Sequence, residues 1–170
     1  MTDEVTVRWL LDRGADPNVG AMYEPPYARG ADPPPSNTGV SLNAAACYGT
    51  TAVFDLLIER GAKLEDSAAL HCAADSPNED AERIPMIQHL LEIGLDINGT
   101  DDVLSFHAQG TPLHWAVDAC KIERAKFLLE KGADPHKVNR DGVLPVQMIA
   151  RSGVAKETRK EFVELFQRWS

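Results

Sequence analysis

The chain has 170 residues, 44% hydrophobic and 25% charged, which is enough apolar material for a buried core and excludes wholesale disorder. Its formal net charge of −9 denies it the basic footprint that duplex nucleic acid or an anionic membrane surface requires. No apolar run approaches the roughly 20 residues that span a bilayer, and Asp3 and Glu4 stand where a secretory signal would carry cations.

The first predicted element is VRWLLDRGADPN, residues 7–18, a helix ended at Gly14 and followed by a turn at Asp16. Residues 19–37 then hold Tyr23, Tyr27 and, counting Pro17, six of the eleven prolines. The phrase RGADP occurs at 13–17 and again at 29–33. Its second occurrence follows Glu24-Pro25-Pro26-Tyr27, which supplies no helix for it to close, so it lies inside an insertion.

Residues 40–65 show a fuller pattern. Leu42, Ala45 and Ala46 mark one short helix, Val53, Phe54 and Leu57 a second, and Gly61 the exit. A third segment begins ALHCAA at 69–74 and ends MIQHLLEIGLDIN at 86–98, with the acidic stretch 75–83 lengthening the link between its two helices. Residues 99–109 follow as an enlarged loop bearing Leu104, Phe106 and His107. In the next segment Leu113, Ala116 and Val117 form one apolar stripe and Ala125, Leu128 and Leu129 another. Thr111 is placed to cap its first helix, Pro112 suits the first turn, and Gly132 ends the second helix. A last segment starts at Asp141 with Leu144 lying 33 residues after Thr111, and ends in EFVELFQRW, a terminal cap. The other spacings depart from this: 28 residues from Val40 to Ala68, through a clipped exit at 65–67, and 43 from Ala68 to Thr111.

Each helix pair buries one stripe only and must stack on its neighbours. With TPLH at 111–114, the degenerate ALH at 69–71, and GADP, GAKLE, GLDIN and GADPH at the helix exits, the chain resembles the ankyrin repeat family. The resemblance implies an all-α solenoid of stacked helix-turn-helix units with projecting hairpin-like loops. It has four to five repeats including a partial first one, in a single ankyrin-repeat domain over 1–170. The expected partition is a partial repeat at 1–18, the Pro-rich insertion at 19–37, full repeats at 38–66, 67–98 and 110–140, and a C-terminal capping repeat at 141–170. The opening half repeat also raises the alternative of a piece of a longer chain.

His71 and His114 sit at one repeat position, which Asn43 and Gln147 fill elsewhere, so the position asks for a hydrogen-bonding side chain and not an imidazole. His136 shares a turn position with Asn18 and Asn98, and His89 falls on a helix rim. The three cysteines, Cys47, Cys72 and Cys120, are odd in number and far apart, which predicts reduced thiols in an intracellular, cytoplasmic or nuclear setting. No CxxC or HxxxH pair is present, nor a phosphate-cradling glycine loop or nucleophile elbow, so no metal, no cofactor and no catalytic residues are expected. The acid pairs Asp101-Asp102 and Glu79-Asp80 read as solvated loop surface. Trp115 and Met148 take a position held by Ala44 and Cys72, and Trp9 and Trp169 are placed to cover the two ends.

The leading expectation is therefore a non-enzymatic interaction module, a scaffold or adaptor binding a protein partner and neither nucleic acid nor membrane. Its groove and loop residues are Tyr23, Tyr27, Tyr48, Asp75, Leu104, Phe106, His107, Trp115, Asp118 and Arg151. The alternative is an enzyme or small-molecule binder whose pocket is shaped by Tyr23, Tyr27, Tyr48, Asp75, Phe106, His107, Trp115 and Asp118. Oligomeric state is left open.

Overall fold

A computed structural model describes residues 3–20, 38–101, 110–150 and 154–169. Among these the fold is all-α. The helices are α1 (Glu4–Leu11), α2 (Val40–Tyr48), α3 (Thr51–Glu59), α4 (Ala69–Asp75), α5 (Asp80–Glu92), α6 (Pro112–Asp118), α7 (Ile122–Glu130), α8 (Pro145–Met148) and α9 (Lys156–Gln167), with one short 3-10 turn at Leu64–Asp66. The chain divides into two compact units, Met1–Ala69 and Leu70–Ser170.

In the first unit α2 and α3 form an antiparallel pair and α1 lies against α3. Leu42, Ala45 and Ala46 of α2 and Val53, Phe54 and Leu57 of α3 are buried, the stripes that the spacing predicts. In the second unit α6 pairs with α7 and α8 with α9, while α5, α7 and α9 pack in a row and α6 packs beside α8. Phe162, Leu165 and Phe166 bury one face of α9. The tryptophans expected to cover the ends do not do so. Trp9 is 52% exposed with the Arg13 guanidinium lying over its ring, and Trp169 is also exposed.

The helix exits are built alike. Gly14, Gly61, Gly94 and Gly132 each have φ between 87° and 99°, and each donates its N–H to the carbonyl three residues back. The following residue donates five residues back, so two orphan carbonyls are satisfied at every exit. The same closure ends α6, but with Cys120 at φ 58° in the left-handed position. A side chain there carries a steric cost that glycine avoids.

Two asparagines tie successive exits together. In the first unit Asn18 donates to the Gly61 carbonyl (2.9 Å) and accepts from the Lys63 N–H (2.9 Å). In the second, Asn98 donates to the Gly132 carbonyl (3.4 Å) and accepts from the Asp134 N–H (2.8 Å). Asp16, Asp96 and Asp134 each cap the turn by accepting the N–H two residues on, with His136 the donor in the last case.

The link after α4 differs from expectation. The acidic stretch 75–83 does not form a long connection, because Asp75 ends α4 and Asp80 already begins α5, leaving only 76–79 between them. The reason is Arg124. Its side chain is fully buried and its guanidinium donates to the carbonyls of Ala73 (3.3 Å), Ala74 (3.2 Å), Ser76 (2.6 Å) and Asn78, and to the Asp80 carboxylate (2.6 Å). One side chain from α7 thus satisfies the open C-terminal carbonyls of α4 and pins the turn that starts α5. Asp80 is correspondingly a partner of Arg124 and not free loop surface.

Three outcomes follow. Arg124→Met should cost about 3 kcal/mol or more by urea denaturation, since several buried carbonyls lose their donor together, and Lys should not rescue it because an ammonium cannot span that fork. Asp80→Asn should cost only about 1 kcal/mol, as the four carbonyls remain. Conversely, Cys120→Gly should stabilise the protein by about 1 kcal/mol in the same assay.

Candidate interaction surface

The repeat position shared by Asn43, His71, His114 and Gln147 makes the hydrogen bonds its residue types predict. Asn43 accepts from the Ala68 N–H at 2.8 Å. His71 Nε2 donates to the Gly99 carbonyl at 3.1 Å, and His114 Nε2 to the Val143 carbonyl at 3.0 Å. Gln147 instead turns back and accepts from the Leu144 N–H at 2.8 Å. These side chains hold the following loop or their own cap, and the two histidines are buried in doing so.

His114 has a defined protonation. The Thr111 backbone N–H can only donate, and it points at Nδ1 from 3.1 Å, so Nδ1 carries no proton and Nε2 does. Burial lowers the imidazole below its ordinary value of 6.5, against the weaker opposing pull of the Val143 carbonyl and the Asp101 carboxylate. The neutral ring completes the cap of α6, because Thr111 Oγ1 also lies 2.9 Å from Nδ1.

Trp115 is half-buried and fixed at both ends. Its indole N–H donates to Asp101 Oδ2 at 3.0 Å, and its ring meets His71 edge-on at 6.2 Å. Asp101 is therefore not solvated loop surface. It is 1% exposed, and its other oxygen accepts from the Gly110 N–H at 2.9 Å.

Asp75 and Asp118 end α4 and α6, four residues after His71 and His114, so they occupy equivalent places. Asp75 is exposed as a residue, yet its carboxyl is shifted upward, first by the part of it that is desolvated and then by the charge of Asp118. Arg124 and Lys121 oppose that shift. Negative charge at a helix C-terminus opposes the local dipole, so neither acid is there for helix stability. Tyr48 is an exposed residue closing α2 in the first unit. The first unit also has an open apolar groove of about 290 Å³ between α1 and α2, lined by Val7, Leu10, Leu11, Val40, Ala44 and Leu57 among others.

Tyr23, Tyr27, Leu104, Phe106, His107 and Arg151 lie outside the described residues. Of the remaining expected residues, the second unit brings Asp75, Trp115 and Asp118 onto successive first helices, while Tyr48 belongs to the other unit. Two residues that matter escaped sequence reading, Arg124 and Asp101. Aligning the exits at Gly61, Gly94 and Gly132 puts Arg124 where Val53 and Met86 stand, both buried, and an Arg in a buried apolar position was the available signal. Among the described residues no group of three or more His, Cys, Asp or Glu is placed to hold a metal ion, and no helix is long and apolar enough to cross a membrane.

A family model described as ankyrin repeats, in three copies, matches residues 42–139, and the chain belongs to that family. Ankyrin repeats are a class of module that typically binds other proteins. The human ankyrin repeat and SOCS box protein 6 is 29% identical over 109 residues, covering 60% of this chain and 25% of that protein. The human protein phosphatase 1 regulatory subunit 27 is 35% identical over 100 residues, covering 59% of this chain and 54% of the relative. The mouse 2-5A-dependent ribonuclease is 41% identical over 59 residues, which is 35% of this chain and 8% of that protein. The chain thus spans about a quarter of the length of the first of these relatives.

The state of His114 gives a pH dependence. The unfolded imidazole takes up a proton near 6.5 while the folded one resists, so its contribution is complete above that pH and falls away below it. Between pH 7.5 and 5.5 the wild-type unfolding free energy should fall further than that of His114→Gln, by up to about 1.4 kcal/mol per pH unit below 6.5. Equal drops would show that the buried ring does not govern this slope.

Proposed function

We propose that this chain is a non-enzymatic protein-interaction module, a scaffold or adaptor that binds a protein partner along the first-helix surface of its repeats and through the loops that project beside it. The observation that carries this reading is the pairing of Asp75 and Asp118 at the C-terminal ends of α4 and α6, with Trp115 held rigidly beside them. Acids placed against the helix dipole and against each other weaken the fold locally, and proteins tolerate such departures where a partner compensates them. An ordered aromatic next to carboxylates suits a basic, Arg- or Lys-bearing segment of that partner.

The names of two relatives, a SOCS box protein and a regulatory subunit of protein phosphatase 1, accord with an array that serves other proteins. An intracellular setting, cytoplasmic or nuclear, accords with three separated thiols.

The test pairs stability with binding. Asp75→Asn combined with Asp118→Asn should leave the protein as stable, or a few tenths of a kcal/mol more stable for each change. The same variant should lose at least tenfold in retention of the proteins captured by the intact immobilised chain, with cross-links to α4 and α6 disappearing. Unchanged capture and unchanged cross-links would reject this surface.

A further inference from the structure

Asn98 ties the exit of α5 to the exit of α7, and the residue after it is Gly99. Of the six asparagines in the chain, this one alone precedes a glycine. That pair is chemically labile. The peptide nitrogen after an asparagine is able to attack the asparagine's own carboxamide, and a following residue without Cβ hinders the attack least. Asn18 makes the same tie in the first unit, but Val19 follows it, and a branched side chain shields the nitrogen there. In the folded chain both reacting groups at 98 and 99 are engaged elsewhere. The carboxamide donates to the Gly132 carbonyl and accepts from the Asp134 N–H, while the Gly99 N–H donates to the Asp96 carbonyl at 3.0 Å. The main chain between them is held as well, since the Asn98 N–H donates to Asp96 Oδ1 at 2.9 Å and the Asn98 carbonyl accepts from Lys137 Nζ at 2.7 Å.

We propose that Asn98 is a site of spontaneous, one-way modification through Gly99, that the tie between the exits of α5 and α7 holds this reaction in check, and that conversion at 98 undoes the tie. In the reaction the Gly99 nitrogen bonds to Asn98 Cγ, the Cγ–Nδ2 bond breaks, and Nδ2 leaves as ammonia with the proton given up by Gly99. Water then opens the cyclic imide. Addition at Cγ gives aspartate, and addition at the main-chain carbonyl carbon gives isoaspartate. Neither product restores the contact. A carboxylate still accepts from the Asp134 N–H but has no hydrogen for the Gly132 carbonyl, and it sets negative charge against the dipole at the C-terminal end of α7. Isoaspartate also lengthens the main chain by one carbon, which displaces the Gly99 carbonyl that receives the His71 Nε2 hydrogen at 3.1 Å. The reaction needs the exits to part locally, so the chain records such openings irreversibly.

Peptide mapping by mass spectrometry, on the full chain aged at mildly alkaline pH with and without denaturing urea, reads conversion at each asparagine. In urea, residue 98 should convert well ahead of the other five. Without urea it should convert at least about tenfold more slowly, because the tie must open first. Asp96→Ala removes the carboxylate that holds the Asn98 N–H, and should raise the native rate about fivefold while leaving the rate in urea unchanged. Converted protein, separated from the parent by its extra charge, should unfold at a lower urea concentration. Equal rates at 98 in the native and unfolded chain would overturn the proposal, as would a native rate that Asp96→Ala leaves unaltered. Conversion of another asparagine as fast as 98 in urea would remove the special role of Gly99, and an unchanged urea midpoint after conversion would show that the tie survives it.

Discussion

One buried guanidinium sets the geometry of the larger unit. Arg124 is 0% exposed and gathers four carbonyls and one carboxylate from the stretch between Ala73 and Asp80. Burying a cation costs several kcal/mol, and only a near-complete set of acceptors offsets it. Those acceptors come from the ends of two helices in the preceding repeat, so α4 and α5 hold their angle only while α7 is in place. Apolar stripes alone would let neighbouring helices slide or rotate. A planar five-donor fork with fixed acceptors does not.

The smaller hydrogen bonds repeat this scheme at lower cost. Each repeat places one polar side chain, Asn43, His71, His114 or Gln147, in the first turn of its first helix, and the backbone atom opposite it selects the chemistry. Where a carbonyl faces the position, at Gly99 and Val143, a histidine donates. Where an N–H faces it, at Ala68, an asparagine accepts. The exits use Asn18 and Asn98 similarly, since an amide both donates and accepts and so grips a carbonyl and an N–H of the next exit at once.

The elements that follow local rules were legible in the sequence: the stripes at Leu113, Ala116 and Val117, the exits at Gly61, Gly94 and Gly132, and the ankyrin class itself. What escaped was long-range. Asp101 in GTDDVL reads as a surface charge and Arg124 in IERAKFLLE drew no reading, because nothing within ten residues shows that one meets the Trp115 indole and the other Ala73 and Ser76. The link 75–83 was misjudged for the same reason, since the helix start at Asp80 depends on that distant arginine. Of the proposed interaction surface, Asp75, Trp115 and Asp118 were named from their residue types and repeat positions, whereas the bond from the Trp115 indole to the buried Asp101 carboxylate was not.

Rigidity and display are therefore assigned to different residues in this unit. Arg124, Asp101 and the two histidines are buried and fix the frame, while Asp75 and Asp118 stand at helix C-termini, where their charge opposes the local dipole. Native-state hydrogen exchange resolved by residue tests the first half of that division most directly. If Arg124 couples the repeats, amides in the cores of α4, α5, α6 and α7 should open with one common free energy and one common dependence on denaturant. Opening of α4 and α5 at a distinctly lower free energy, with α6 and α7 still protected, would contradict it.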